Sequence, residues 1–83
     1  MPANLRRLVE VGMPPPMAKE TAAVITAGSV STTAVRRLTE VGMVARHIRE
    51  LRSQLAGTKS AKRFVELGIA PRLARELTTQ MGG

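Results

Sequence analysis

The sequence predicts an all-α protein built as three tandem helix–corner–helix hairpins, six short helices in all. Three observations predict this. A 21-residue unit occurs three times without an internal gap, as LRRLVEVGMPPPMAKETAAVI, VRRLTEVGMVARHIRELRSQL and AKRFVELGIAPRLARELTTQM at residues 5–25, 35–55 and 61–81. Within each unit, apolar residues recur at helical spacing on both sides of an invariant glycine. The 83 residues include no cysteine and one aromatic residue, Phe64, so disulfides are excluded and the core must be thin packing of Leu, Val, Ile, Met and Ala.

Each unit opens with a short helix. In unit one, Leu5, Leu8, Val9 and Val11 supply the apolar side, while Arg6, Arg7 and Glu10 fall on the other. Units two and three repeat the pattern with Val35, Leu38, Val41 and with Phe64, Val65, Leu67. Asn4, then Thr32 or Thr33, then Ser60 precede these helices and are suitable N-caps, because their side-chain oxygens accept otherwise unpaired backbone N–H groups. Arg7 and Glu10, like their counterparts, are three residues apart and can pair on the exposed face.

The invariant Gly12, Gly42 and Gly68 end the first helices, at a place where the chain favours a left-handed residue. Met13, Met43 and Ile69 follow as apolar plugs under the corner. Pro14, Pro15 and Pro16 in unit one and Pro71 in unit three suit the first turn of a second helix, which requires no N–H donor. The second helices are expected to run to Ile25, Leu55 and Met81. Their apolar faces are Met17, Ala18, Val24; Ile48, Leu51, Leu55; and Leu73, Ala74, Leu77, Met81. Residues 26–34 and 56–60 read as linkers, the first flexible enough to place the hairpins separately. The glycines are 30 and then 26 residues apart, which argues against a uniform stack. The Gly82-Gly83 end reads as a tail.

Net charge is +7, and all six glutamates occupy two unit positions, Glu10/Glu40/Glu66 and Glu20/Glu50/Glu76. The basic surplus falls in units two and three. Arg46, Arg49, Arg52, Arg72 and Arg75 are therefore candidates for contact with an anionic partner, either nucleic acid or an acidic protein surface. One His and no Asp leave too few ligands for a zinc or calcium site, and no cofactor is expected. Neither a phosphate-binding glycine loop nor a nucleophile–base–acid set can be assembled, so no enzymatic activity is expected. His47 aligns with Met17 and Leu73, which marks it as a packing or interface residue. No signal peptide or membrane span is read, and the expected locations are a virion or a host cytoplasm.

Three resemblances attach to these residues. Leu8-x-Glu10-Val11-Gly12-Met13, with Ala18 six residues after the glycine, resembles the start of ubiquitin-associated domains, although those carry an aromatic residue where this chain has Met or Ile. Glu66-Leu67-Gly68-Ile69-x-Pro71-Arg72-Leu73-Ala74-Arg75 is similar to a helix-turn-helix, which implies Arg72 and Arg75 facing DNA. Leu8 to Glu20, and less closely Phe64 to Glu76, resemble L-V-E-L-G-x-P segments of small structural proteins of tailed bacteriophages, associated with the head or the tail. That likeness implies a virion component without enzymatic activity that docks on shell or tail proteins; the small size of the chain separately suggests self-association. The docking residues would be Met13, Met17, Met43, His47, Ile69 and Leu73, each hairpin acting as its own module. A small basic DNA-binding protein is the alternative.

Overall fold

The computed structural model describes residues 3–83. Six helices are present among them and no strand: α1 (Leu5–Glu10), α2 (Pro15–Ala27), α3 (Thr32–Glu40), α4 (Ala45–Ala56), α5 (Ala61–Glu66) and α6 (Pro71–Gln80). None is long and apolar enough to cross a membrane.

The first helices are nucleated at their caps. Asn4 Oδ1 accepts from Arg7 N at 3.1 Å, and Ser60 Oγ accepts from Arg63 N at 3.2 Å. In unit two the cap is Ser31, whose Oγ accepts from Ala34 N at 3.1 Å, and not Thr32 or Thr33. The extra residues between the first two glycines explain this. They lengthen α3 to 9 residues against 6 in α1 and α5, so the cap moves back by one turn. Residues 26–34 are therefore mostly helix, and only Gly28 to Ser31 lie between α2 and α3. That segment is also fastened. Val30 is buried, and its carbonyl accepts from Arg52 Nε at 3.1 Å and Nη2 at 2.7 Å.

Each first helix ends in the same six-residue lock. The N–H of Met13, Met43 and Ile69 donates to the carbonyl of Leu8, Leu38 and Phe64, at 3.0, 2.9 and 3.0 Å. The N–H of the preceding glycine donates to Val9, Thr39 and Val65. This is the Schellman arrangement, and it places the intervening residue in a region that only glycine occupies without strain. Gly12, Gly42 and Gly68 have φ of 113, 99 and 101°. Gly82 (φ 95°) ends α6 in the same way, with Gly83 N donating to Thr78 O at 2.7 Å. The Gly82-Gly83 end is thus a helix terminator as well as a tail.

Only one side chain of each first helix is buried: Leu8, Leu38 and Phe64, all at or below 1% exposure. Leu5, Val9 and Val65, read from sequence as apolar-face residues, are exposed. A helix of six residues has fewer than two turns, so one residue of α1 and of α5 reaches the core, while the longer α3 adds the half-buried Ala34 and Val35 beside Leu38. The second helices supply the rest through Ala18, Ile48 and Ala74, and through Thr21, Leu51 and Leu77 one turn on.

The three units close into a cycle. Each first helix contacts the second helix of its own unit and that of the preceding unit, and α1 takes α6 as its preceding neighbour. The molecule measures 26 Å along each principal axis, as a closed three-unit body should and an open row should not. The hairpins are consequently not independent modules on flexible linkers.

Two of the three junctions share one network. The Gln54 carboxamide accepts from Ser60 N at 2.8 Å and donates to Ser60 O at 2.9 Å, and its Nε2 also reaches Glu50 at 2.8 Å. Gln80 does the same to Asn4 at 2.9 and 3.0 Å, with Glu76 at 2.9 Å. Glu50 then pairs with Arg63 at 3.5 Å, and Glu76 with Arg7 at 3.2 Å. Arg7 and Arg63 also hold Glu10 and Glu66 within their own helices. The first junction has Val24 in place of the glutamine, buried beside Ile25 and Val30.

Two expectations follow. Gln54 is 1% exposed with every amide group paired, so Gln54→Ala should cost about 2–3 kcal/mol, read as a lower urea midpoint. Thr21 is fully buried and its hydroxyl has no partner among the described residues, whereas Leu51 and Leu77 stand at its equivalents. Thr21→Val keeps the shape and removes the orphan, so it should stabilise by about 1 kcal/mol and raise Tm by about 4–8 °C.

Candidate protein-docking face

The corner geometry determines where the residues after each glycine go. Met13, Met43 and Ile69 turn inward, the two methionines to 3% and 7% exposure. Four residues on, Met17, His47 and Leu73 sit half-buried on the first turn of each second helix. All six line one cleft of about 280 Å³, together with Gly42, Val44, Gly68 and Ala70. No charged residue is among its described lining residues, although Arg46 Nη2 comes to 3.8 Å from where a Cβ on Gly68 would stand. The six residues read from sequence as three separate docking points therefore form one face, assembled from all three units.

Neighbouring units interlock there. Met17 Cε lies 3.7 Å from where a Cβ on Gly42 would stand, and His47 Nε2 lies 3.8 Å from the same point on Gly68. Nothing comes within 4 Å of that point on Gly12, so the face is most open between units three and one. His47 Nε2 is 2.6 Å from Leu67 O. Since a carbonyl only accepts, Nε2 is the donor in this contact, and His47 links α4 to the end of α5. Arg46 Nε donates to the same oxygen at 3.1 Å. Leu67 is the C-cap of α5, so two donors, the Arg46 guanidinium among them, sit on a helix end that carries partial negative charge.

The basic residues separate into two groups. Arg46 and Arg52 act in the scaffold, donating to Leu67 O and Val30 O, so these two members of the basic surplus also hold the fold. Arg49, Arg72 and Arg75 are exposed and have no hydrogen-bond or ion-pair partner among the described residues. Arg7 is different again. Its pKa is raised, first by the hydrogen bond and charge of Glu76 and then by Glu10, so it remains a cation wherever the protein is folded.

A second, larger cleft of about 640 Å³ lies where the second helices end, lined by the equivalent residues Ile25, Leu55 and Met81. Lys59 and Glu76 bring both signs of charge into its wall. The corner cleft is thus the uncharged one of the two.

Sequence reasoning missed Gln54 and Gln80. Their signal was present, since glutamine occupies the same unit position in two copies, each facing an N-cap residue. The chain matches no protein-family model, no curated protein and no solved structure.

Proposed function

We propose that this chain is a non-enzymatic structural adaptor that docks on another protein through the face where its three corners meet. One observation carries the reading: Met13, Met17, Met43, His47, Ile69 and Leu73, drawn from all three units, border a single uncharged cleft. Exposed apolar surface rimmed by polar groups is the form a protein contact takes. Methionine suits such a face because its unbranched, polarizable side chain adapts to the shape of a partner. Val44 adds a side chain 41% exposed at the edge of the same cleft.

The titratable residues support a non-catalytic role. His47 is committed to Leu67 O, and four of the glutamates are held by Arg7 and Arg63. The likeness of Leu8 to Glu20 and Phe64 to Glu76 to segments of tailed-phage structural proteins supports a virion component as the setting, with a shell or tail protein as partner. On that reading the chain works in the virion or, before assembly, in the host cytoplasm.

The test is to isolate the native assembly, cross-link it, identify the neighbouring chain and measure binding to it. Val44→Glu alters an exposed side chain, so the melt should stay unchanged while binding weakens at least tenfold. Met17→Gln with Leu73→Gln should weaken it further. The proposal fails if Val44→Glu is retained in the assembly as well as the parent, or if the chain is recovered only free.

A further inference from the structure

We infer that the surface formed by α4, α5 and α6 binds the phosphate backbone of duplex nucleic acid without reading its sequence. The charge balance comes first. Residues 45–80 contain eight Lys and Arg against three Glu, so they carry +5 of the net +7. Two of those glutamates, Glu50 and Glu66, share one cation, Arg63. Among the described residues, none of the other cations in these three helices has a carboxylate within ion-pair distance.

The placement of the arginines is the second observation. Arg46, Arg49 and Arg52 succeed one another at three-residue intervals along the exposed side of α4, with Arg72 and Arg75 at the same interval on α6. Arg46 and Arg52 are anchored through backbone carbonyls, which fixes the ends of the α4 row and leaves Arg49 between them unengaged. A pre-positioned guanidinium loses less side-chain freedom when it meets a phosphate.

The class of polyanion follows from what accompanies the arginines. Of the large exposed apolar side chains, Leu5, Val9, Val44 and Val65, none lies within α4 or α6, and Val65 on α5 and Val44 at the α4 N-cap are isolated from one another in sequence. Tight protein contacts centre on a desolvated apolar or aromatic anchor, whereas phosphate-backbone binding needs only exposed cations that release counterions. An acidic protein is therefore the poorer fit. Single strands are bound by stacking bases on aromatic rings, and the one aromatic residue, Phe64, is 1% exposed. A duplex is what remains, and a body 26 Å across covers about 8 base pairs of it.

The experiment is fluorescence anisotropy of a labelled duplex titrated with the full chain across a salt series. Five phosphate contacts contribute about 0.9 each to the log–log slope, so affinity should fall roughly 500-fold between 50 and 200 mM salt. Arg49→Ala, Arg72→Ala and Arg75→Ala remove exposed side chains that make no hydrogen bond or ion pair among the described residues. Together they should leave the melt unchanged and reduce that loss to roughly tenfold, and each alone should lower the slope by about 0.9. Met17→Gln with Leu73→Gln should bind the duplex as the parent does, which separates this result from the docking reading. Three outcomes overturn the inference: no binding at 50 mM salt, a slope the arginine variants do not change, or equal competition by poly-L-glutamate of matched charge.

Discussion

The structure depends on the carboxamide pairing that joins one unit to the next. A glutamine side chain presents one donor and one acceptor in a plane, as a peptide group does, and Gln54 and Gln80 use both on the backbone of the next N-cap residue. Ser60 and Asn4 are thereby held at both backbone groups while their side chains start α5 and α1. One contact fixes where a helix begins and which unit it follows. The glutamate one turn back shares the carboxamide hydrogens and passes the link on to Arg63 or Arg7. Three of the four invariant positions, the arginine and the two glutamates, take part in this junction at two of its three occurrences. The arginines of these pairs are half exposed, so solvent screens each pair and keeps it weak, and their value here is in selecting the neighbour more than in binding it.

The corner is the second constraint and is local. A glycine at positive φ lets two successive N–H groups satisfy the last carbonyls of the first helix, and the chain then leaves in a direction that buries the next residue. Since all three corners obey the same rule, their plugs point to the same place. The corner cleft is therefore a product of the fold, and its uncharged lining follows from the apolar residues that the plugs must be.

Much of this was legible in the amino-acid sequence, and the omissions have physical reasons. The six helices, the glycine corners and the Asn4 and Ser60 caps follow from local rules that act within a few residues. Ser31 was displaced from expectation because four additional residues could be spent as linker or as another helical turn, and only packing decides between them. Arg46 and Arg52 read as surplus because a carbonyl acceptor leaves no mark in a sequence, whereas a glutamate does. His47 is half-buried, like Met17 and Leu73 with which it aligns, but its acceptor at Leu67 O lies in the next unit and leaves no mark along the chain. Closure itself, between Asn4 and Gln80, joins residues 76 apart in sequence and is invisible to any reading along the chain.

Closure also answers why the unit occurs three times. An open stack of repeats presents a vacant face at each end, so copies can be gained or lost with little change to those that remain. Here the last unit's acceptor is the first unit, and neither end is vacant. A fourth copy would have to break the Gln80–Asn4 join and widen the cycle, and a missing copy would leave Leu8, Leu38 or Phe64 without the neighbouring helix that covers it. The cycle is therefore complete at three units, and its geometry leaves no junction at which another copy could be added without opening it.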